Sequence, residues 1–191
     1  MLDLIFRQTI TLFNRYRQGD KVYWFPTIFP GVHLVTDRAK IISMYGELSQ
    51  DNVMVHIMYK DAGEVPGWVI GYEDPIIIDD GKSREISNEF FRSIVFATGS
   101  ETGLVQESKP YILPKEYARK PFSEASHFVT FGMGDHFDFF IEGPYSGMGP
   151  IDDDDYREGF YNYMSRCYDN VWVVTRAAKY SLIPHFEITG R

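Results

Sequence analysis

Cysteine is nearly absent from this chain, since Cys167 is the single one among 191 residues. One thiol excludes an internal disulfide framework and any zinc site built from several cysteines. Long apolar runs are missing too, because no stretch reaches the roughly 18 consecutive apolar residues of a membrane-spanning helix. Residues 1–7 place acid before base around a short apolar run, which is not the pattern of a signal peptide. These absences predict a protein made in a reducing compartment, most simply the cytoplasm, with no membrane partner.

Positive charge is in deficit. The chain has 19 Lys and Arg against 27 Asp and Glu, a net charge of −8 with histidine neutral, which argues against a surface that grips phosphates throughout. Catalytic motifs are missing as well: the histidines show no H-x-x-x-H or H-E-x-x-H spacing, and no G-x-S-x-G elbow occurs. Gly132 to Gly134 lack the third glycine of a dinucleotide fingerprint. The sequence therefore predicts neither an enzyme nor a cofactor.

Aromatic residues, by contrast, are plentiful at 16% of the chain, and flat side chains favour pleated sheet over a helical bundle. Alternation predicts strands at Thr9–Tyr16 and Val22–Phe29, paired as a hairpin across a turn at Gln18–Asp20. Pro26 interrupts the second strand and predicts an edge position or a bulge. Pro30-Gly31 predicts a turn into the next strand.

Further short strands follow, separated by glycine, proline and aspartate breakers. The predicted strands are Val32–Val35, Asp51–Tyr59, Trp68–Ile70, Ile76–Ile78, His127–Phe131, Phe137–Ile141, Val171–Thr175 and His185–Thr189. His127–Phe131 and Phe137–Ile141 are expected to form a hairpin across residues 132–135. Pro114–Tyr117 predicts one helical turn with proline at its first position.

One longer helix is predicted over Asp152–Tyr168, with Asp152 as its N-cap and Phe160, Met164 and Cys167 on a buried face. Many short strands with one helix in the C-terminal half indicate a mainly β fold, a small β-barrel or sandwich. We expect a single domain over residues 1–191.

The stretch from Asp79 to Lys109 breaks the regular pattern, with glycines at its flanks and an apolar centre. We expect a long inserted loop or arm here, ordered by contact with a neighbouring chain. The candidate subunit-contact residues are Phe90, Phe91, Ile94, Val95 and Phe96.

Four consecutive aspartates stand at Asp152, Asp153, Asp154 and Asp155, with Glu158 close behind. They do not form a calcium loop, because an EF-hand alternates its acids and Arg157 falls at its fifth position when the count starts at Asp153. Two interpretations stay open: a solvated helix start, or an acidic surface that faces a channel.

A metal- or ligand-binding barrel is an alternative from another class. His127 and His136 bracket the proposed hairpin, with Asp135 and Asp138 beside the second histidine, and imidazole and carboxylate both ligate metals. Exposed aromatics such as Trp24 and Trp68 would suit a carbohydrate or nucleotide instead.

Several segments are similar to a family encoded among the head–tail genes of tailed phages and prophages. Residues 11–16 (TLFNRY) followed by Gly31-Val32-His33 resemble its "T-x-Y-N-R-Y … G-V-H-W" opening. Residues 111–117 (YILPKEY) resemble "Y-x-P-P-K-E-Y/F". Residues 127–131 (HFVTF) with Gly134-Asp135 and Gly143 resemble "H-W-T-L … G-D … G". Residues 168–174 and 184–191 resemble its closing "H-W-x-V-x-G". Leu34 and Phe128 replace two tryptophans of the pattern, and the stretch from 79 to 109 has no counterpart.

The resemblance implies a structural virion protein of the phage neck, of the head-closure or stopper kind. Such a protein forms a homo-oligomeric ring between the portal-adaptor and the tail terminator or tail proteins, and it lines or gates the DNA channel. It implies localisation to the virion after assembly in the host cytoplasm, with transient, non-specific proximity to DNA. Another neck ring, either the adaptor or the tail terminator, is the nearest alternative.

Overall fold

The computed structural model describes residues 6–46, 52–59, 64–70, 104–147 and 149–191. The first two strands form the predicted hairpin and are longer than predicted: β1 is Gln8–Gln18 and β2 is Lys21–Val35. Gln18 pairs with Lys21 across a two-residue turn, and Gly19 adopts the left-handed φ of 61° that such a turn requires. The hairpin prediction is confirmed.

The predicted turn at Pro30-Gly31 is wrong, because β2 runs through it without interruption. The register of β1 against β2 slips there: Gln8 pairs with Val32 while Thr9 pairs with Pro30. Gly31 is the extra residue, with a φ of 69°, so it forms a bulge and the strand continues. Pro26 lies between Trp24, which pairs with Ile151, and Ile28, which pairs with Trp68.

A closed barrel follows from the pairing of six strands. The others are β3 (Val53–Met58), β6 (Phe139–Glu142), β8 (Val171–Tyr180) and β9 (His185–Gly190). All pairs are antiparallel in the order β1-β6-β8-β9-β3-β2, and β2 pairs again with β1. The largest core cluster fills its interior, with Leu12, Phe29, Val55, Phe140 and Phe186 among its members. The prediction of a mainly β barrel is confirmed.

Three strands lie off the ring. β4 (Glu64–Ile70) pairs with β5 (Leu104–Pro110) and meets β2 through Trp68 and Ile28, while β7 (Ile151–Asp152) pairs with β2. The expected arm at 79–109 lies outside the described residues as far as residue 103. Residues 104–109 of that stretch belong to β5. Lys109 is buried there, and its Nζ donates to Thr27 Oγ1 at 3.1 Å.

The helices are short: α1 is Arg38–Tyr45, α2 is Pro114–Tyr117, α3 is Phe122–Ala125 and α4 is Phe160–Cys167. Proline opens α2 as predicted. Within the described ranges, no helix is long and apolar enough to cross a membrane.

The helix predicted over Asp152–Tyr168 is wrong in extent. Residues 153–155 form a 3-10 turn, and Gly159 interrupts the path to α4 with a φ of 85°. Asp152 caps that 3-10 turn, accepting the Asp154 N–H at 3.0 Å, and does not cap the α-helix. Phe160 and Met164 are buried as predicted, but Cys167 is exposed because the last turn of α4 faces outward.

The predicted strand His127–Phe131 and its hairpin with Phe137–Ile141 are also wrong. Residues 127–131 make one isolated bridge, between Val129 and Tyr111, and β6 pairs with β1 and β8 instead. Residues 132–138 form a loop with a 3-10 turn at Gly134–His136. The Gly132 N–H of this loop and two donors of β1 bond to the buried Asp138 carboxylate, and that arrangement replaces the hairpin.

Candidate functional site

A buried carboxylate organises the loop that precedes β6. Asp138 is 0% exposed, and it accepts three N–H bonds. Its Oδ1 accepts the backbone N–H of Arg15 at 2.7 Å, and its Oδ2 accepts Asn14 Nδ2 at 2.9 Å and the Gly132 backbone N–H at 2.5 Å. The carboxylate therefore ties β1 to the loop.

Glycine at position 132 explains why the loop can approach the Asp138 carboxylate so closely. A Cβ on Gly132 would lie 2.3 Å from the His136 carbonyl oxygen and 3.2 Å from the Asp138 carboxylate, so a larger residue does not fit. The second amide hydrogen of Asn14 is used as well, since Nδ2 also donates to the Thr130 carbonyl at 2.7 Å. One asparagine thus joins a strand, a loop carbonyl and the buried acid.

Burial is the main cause of the pKa shifts of Asp138 and Tyr117. It raises the pKa of Asp138 to about 7, while the N–H donors of Gly132, Arg15 and Asn14 act in the opposite direction. Burial also raises the pKa of Tyr117 well above its ordinary range, and the Asp138 charge adds to this effect. The Asp138 carboxyl thus titrates near neutral pH.

An open pocket of about 490 Å³ lies over this network. Four of its lining residues are basic: Arg15, Arg17, Lys115 and Arg119. On a chain of net charge −8, this is a local concentration of positive charge. Two buried hydroxyls of pocket-lining residues, Tyr117 OH and Thr130 Oγ1, have no hydrogen-bond partner within the described part of the chain.

The basic side chains are partly held in place. Arg15 donates to the Asp135 carbonyl at 2.6 Å, and its guanidinium lies 5.5 Å from the Phe137 ring centroid and 5.8 Å from that of Trp24. Arg17 donates through Nε to the Gly19 carbonyl at 3.0 Å. Guanidinium groups positioned this way suit a carboxylate or another small anion.

The five acidic channel candidates do not share one environment. Asp152 pairs with Lys21 at 3.2 Å, and Glu158 pairs with Arg166. Asp153 Oδ1 accepts the Trp24 indole N–H at 2.7 Å and the Phe160 backbone N–H at 2.8 Å, so it caps α4. Asp154 and Asp155 are exposed. Part of the acidic group therefore holds the fold together.

The metal cluster considered as an alternative does not form. His127, Asp135 and His136 are exposed, whereas Asp138 is buried and bonded to N–H donors. Trp24 is 2% exposed and cannot serve as an open stacking platform. The side chain of Trp68 and the contact candidates Phe90, Phe91, Ile94, Val95 and Phe96 lie outside the described residues.

A different histidine cluster, which sequence reasoning missed, lies across β3 and β9. One potential ligand atom from each of His56, His185 and Glu187 lies within 4.8 Å of the others. The pKa of His56 is lowered, mainly by burial, and the nearby Glu187 carboxylate opposes this effect. The i, i+2 spacing of His185 and Glu187 places both on one face of a strand. That signal is readable from sequence, but the pairing of β3 with β9 is not.

Comparisons with protein-family models, curated proteins and solved structures found no match to this chain. The fold and the site therefore define its class: a closed six-stranded antiparallel barrel with a basic pocket over a buried carboxylate.

Proposed function

We propose that this chain is a structural subunit of the phage neck, a head-closure ring that connects the portal-adaptor to the tail and lines or gates the DNA channel. One observation carries the proposal: the separate segments that resemble the phage family contact one another in space. Segments that specify one fold are expected to contact one another.

The contacts between these segments are specific. Asn14 of the first segment donates to the carbonyl of Thr130 in the third. Tyr16 donates to the Lys120 carbonyl at 2.7 Å, and its ring lies 6.0 Å from that of Tyr117 in the second segment.

The closing segment joins the same framework. The Tyr111 ring lies 5.2 Å from Phe131 and 4.7 Å from Phe186, centroid to centroid. Residues of all four segments therefore contribute to the contacts that hold residues 111–137 against the barrel.

Charge supports a channel role. A net charge of −8 per subunit is multiplied around a ring, and like charge keeps a passing phosphate backbone from sticking. Asp154, Asp155 and Glu158 are exposed, and the first two remain our leading lumen candidates. Asp152, Asp153 and Glu158 have partners within the chain.

The nearest alternative is another neck ring. An adaptor is expected to be mostly helical, whereas in the described ranges this chain has only helices of four and eight residues. A tail terminator is expected to alternate helices and strands around a sheet. A closed antiparallel barrel favours the head-closure assignment over both.

Assembly completes the proposal. We expect a cyclic homo-oligomer in the particle, with the isolated chain monomeric or weakly associated until the portal-adaptor and tail proteins complete its contacts. The chain has no catalytic role in this proposal.

Deleting the gene from its phage or prophage tests the class. We expect the lysate to contain heads without tails and to lose infectivity, with both restored by the wild-type chain. The purified particle should contain the protein. Normal infectious particles from the deletion would overturn the proposal.

The channel role needs a separate test with matched charge changes. Asp154→Asn with Asp155→Asn removes two exposed acids and leaves the partners of Asp152 and Asp153 intact. Glu116→Gln with Glu124→Gln removes two exposed acids elsewhere. We expect altered DNA retention or ejection in the first pair only. If both pairs behave like the parent, the acids do not line the channel.

A further inference from the structure

The histidine cluster lies on the barrel face turned away from the main core. His56 is directly opposite Glu187 in the β3–β9 register, and His185 precedes Glu187 by two residues. Their neighbours Ile57, Phe186 and Ile188 point the other way, into the core. Three potential ligands therefore share one patch of sheet surface.

Contacts at Nδ1 orient the rings of His185 and His56 and leave Nε2 of each ring for a ligand. His185 Nδ1 lies 2.7 Å from the Ile183 carbonyl oxygen, which accepts only an N–H, so the lone pair of this ring is on Nε2. His56 Nδ1 lies 3.1 Å from His33 Nδ1. With His56 as the donor of that bond, its Nε2 also carries a lone pair. Nδ1 bonds of this kind orient the histidines that ligate metals.

The separation of His56 from Glu187 fits two ligands of one ion. His56 Nε2 lies 3.5 Å from Glu187 Oε2, which is long for a hydrogen bond of about 2.7–3.2 Å. Two ligand atoms, each about 2.1 Å from a tetrahedral zinc ion, lie about 3.4 Å apart. The same separation is within reach of an ion pair, so zinc binding has to be measured to distinguish the two arrangements.

We propose that His56, His185 and Glu187 bind one zinc ion on the outer face of the barrel, with His33 as a positioning residue. Two imidazoles and one carboxylate are a ligand set that zinc accepts, and three protein ligands leave a fourth position for water or a group from a neighbouring molecule. The Tyr180 ring stacks on His185 at 4.8 Å between centroids and helps to hold it. This site is independent of the neck function.

Zinc titration of the purified chain tests the site. The protein is prepared without a histidine tag and stripped with a chelator, and Zn²⁺ alone is added in a calorimeter. We expect one ion per chain. Co²⁺ in place of Zn²⁺ should give the intense visible bands of a tetrahedral site.

Variants locate the ion. His185→Asn and Glu187→Gln should each weaken zinc binding by about 100-fold or more, and His33→Asn by roughly 10–100-fold through loss of orientation. His127→Asn, an exposed histidine outside the cluster, is the matched control and should bind like the parent. Circular dichroism without metal checks that each variant is folded, and if one ligand variant fails to fold the other decides.

The proposal is overturned if the parent binds no zinc stoichiometrically, or if the folded ligand variants bind as the parent does. Loss of binding in His127→Asn would also overturn it, because the ion would then lie elsewhere. Infectivity plays no part in these readouts, so failure here is distinguishable from failure of the neck proposal.

Discussion

Two polar clusters in this barrel place different groups around a carboxylate. At Asp138, three N–H groups converge on one carboxylate, and all of them come from the chain itself. At His56, a carboxylate and two imidazoles bring lone pairs together. N–H donors surround the first carboxylate, whereas imidazole nitrogens lie beside the second. The first arrangement stabilises a fold, and the second offers ligand atoms to a cation.

The two clusters also differ in solvent exposure. Asp138 is 0% exposed, whereas the His56 side chain is 18% exposed. A fully buried carboxylate connects elements that have to stay together, and a partly exposed imidazole can receive an ion from solvent.

Asp138→Ala should have the largest effect. It leaves the N–H groups of Asn14, Arg15 and Gly132 buried without their acceptor, and we expect the free energy of unfolding to fall by about 3–5 kcal/mol. Urea denaturation at neutral pH measures this change. Asp135→Ala, an exposed acid in the same loop, should stay within about 0.5 kcal/mol of the parent. Equal effects of the two variants would refute the role of the buried acid.

The same acid should make stability depend on pH. Its pKa in the folded chain is about 7, above the ordinary 3.8, because it is buried. Between these values the folded chain holds a proton that the unfolded chain has lost. This contribution is therefore fully present below about pH 4 and is lost as the pH rises to about 7, by at most about 4 kcal/mol. Denaturation across this range should show the slope in the parent, and Asp138→Asn should remove it. A parallel profile in the variant would assign the slope to other groups.

A matched pair of amide substitutions contrasts the two clusters directly. In Asp138→Asn, either amide orientation puts the NH₂ group against an N–H donor, and we expect a loss of about 2–3 kcal/mol. In metal-free Glu187→Gln, the NH₂ group can donate to His56 Nε2, and the change should be under about 1 kcal/mol. Thermal and urea unfolding measure both variants. The reverse order of effects would contradict the donor–acceptor contrast.

Asp153 provides an intermediate case, because it is half-buried and accepts two N–H bonds on a single oxygen. Asp153→Asn keeps an oxygen for Trp24 and Phe160 and should cost under about 0.5 kcal/mol. Asp153→Ala removes the acceptor and should cost about 1–2 kcal/mol. Asp154→Ala, next to it and exposed, is the control. A loss in Asp153→Asn as large as in Asp153→Ala would mean that charge, and not the bonds, matters.

Local patterns predicted much of the fold. Alternating apolar residues predicted the β1–β2 hairpin, and proline predicted the start of α2, because these signals act within a few residues. The strand predicted at residues 127–131 was wrong for a physical reason: these residues favour strand, but the neighbouring loop had a buried acid to satisfy. The long helix was wrong because Gly159 interrupts the chain before α4, and the Asp153 carboxylate accepts the first N–H of α4.

The candidate sites were harder to predict. Asp138 was considered as a metal ligand only in an alternative hypothesis, and two of its three donors come from β1, more than a hundred residues away. Residues His185 and Glu187 share a strand face by spacing alone, yet their partner His56 depends on which strand lies beside β9. Such pairings join distant parts of the chain and leave no local signal.

The sequence alone thus determined the mainly β character, the hairpin and the excess of acid, because composition and short-range spacing suffice for these. Only the tertiary structure decided which acid is buried, which hydroxyls and basic side chains surround the pocket, and which histidines meet. The reason is barrel closure: one register of six strands sets every cross-strand neighbour at once, and a shift of β9 by one residue would turn His185 and Glu187 to the other face.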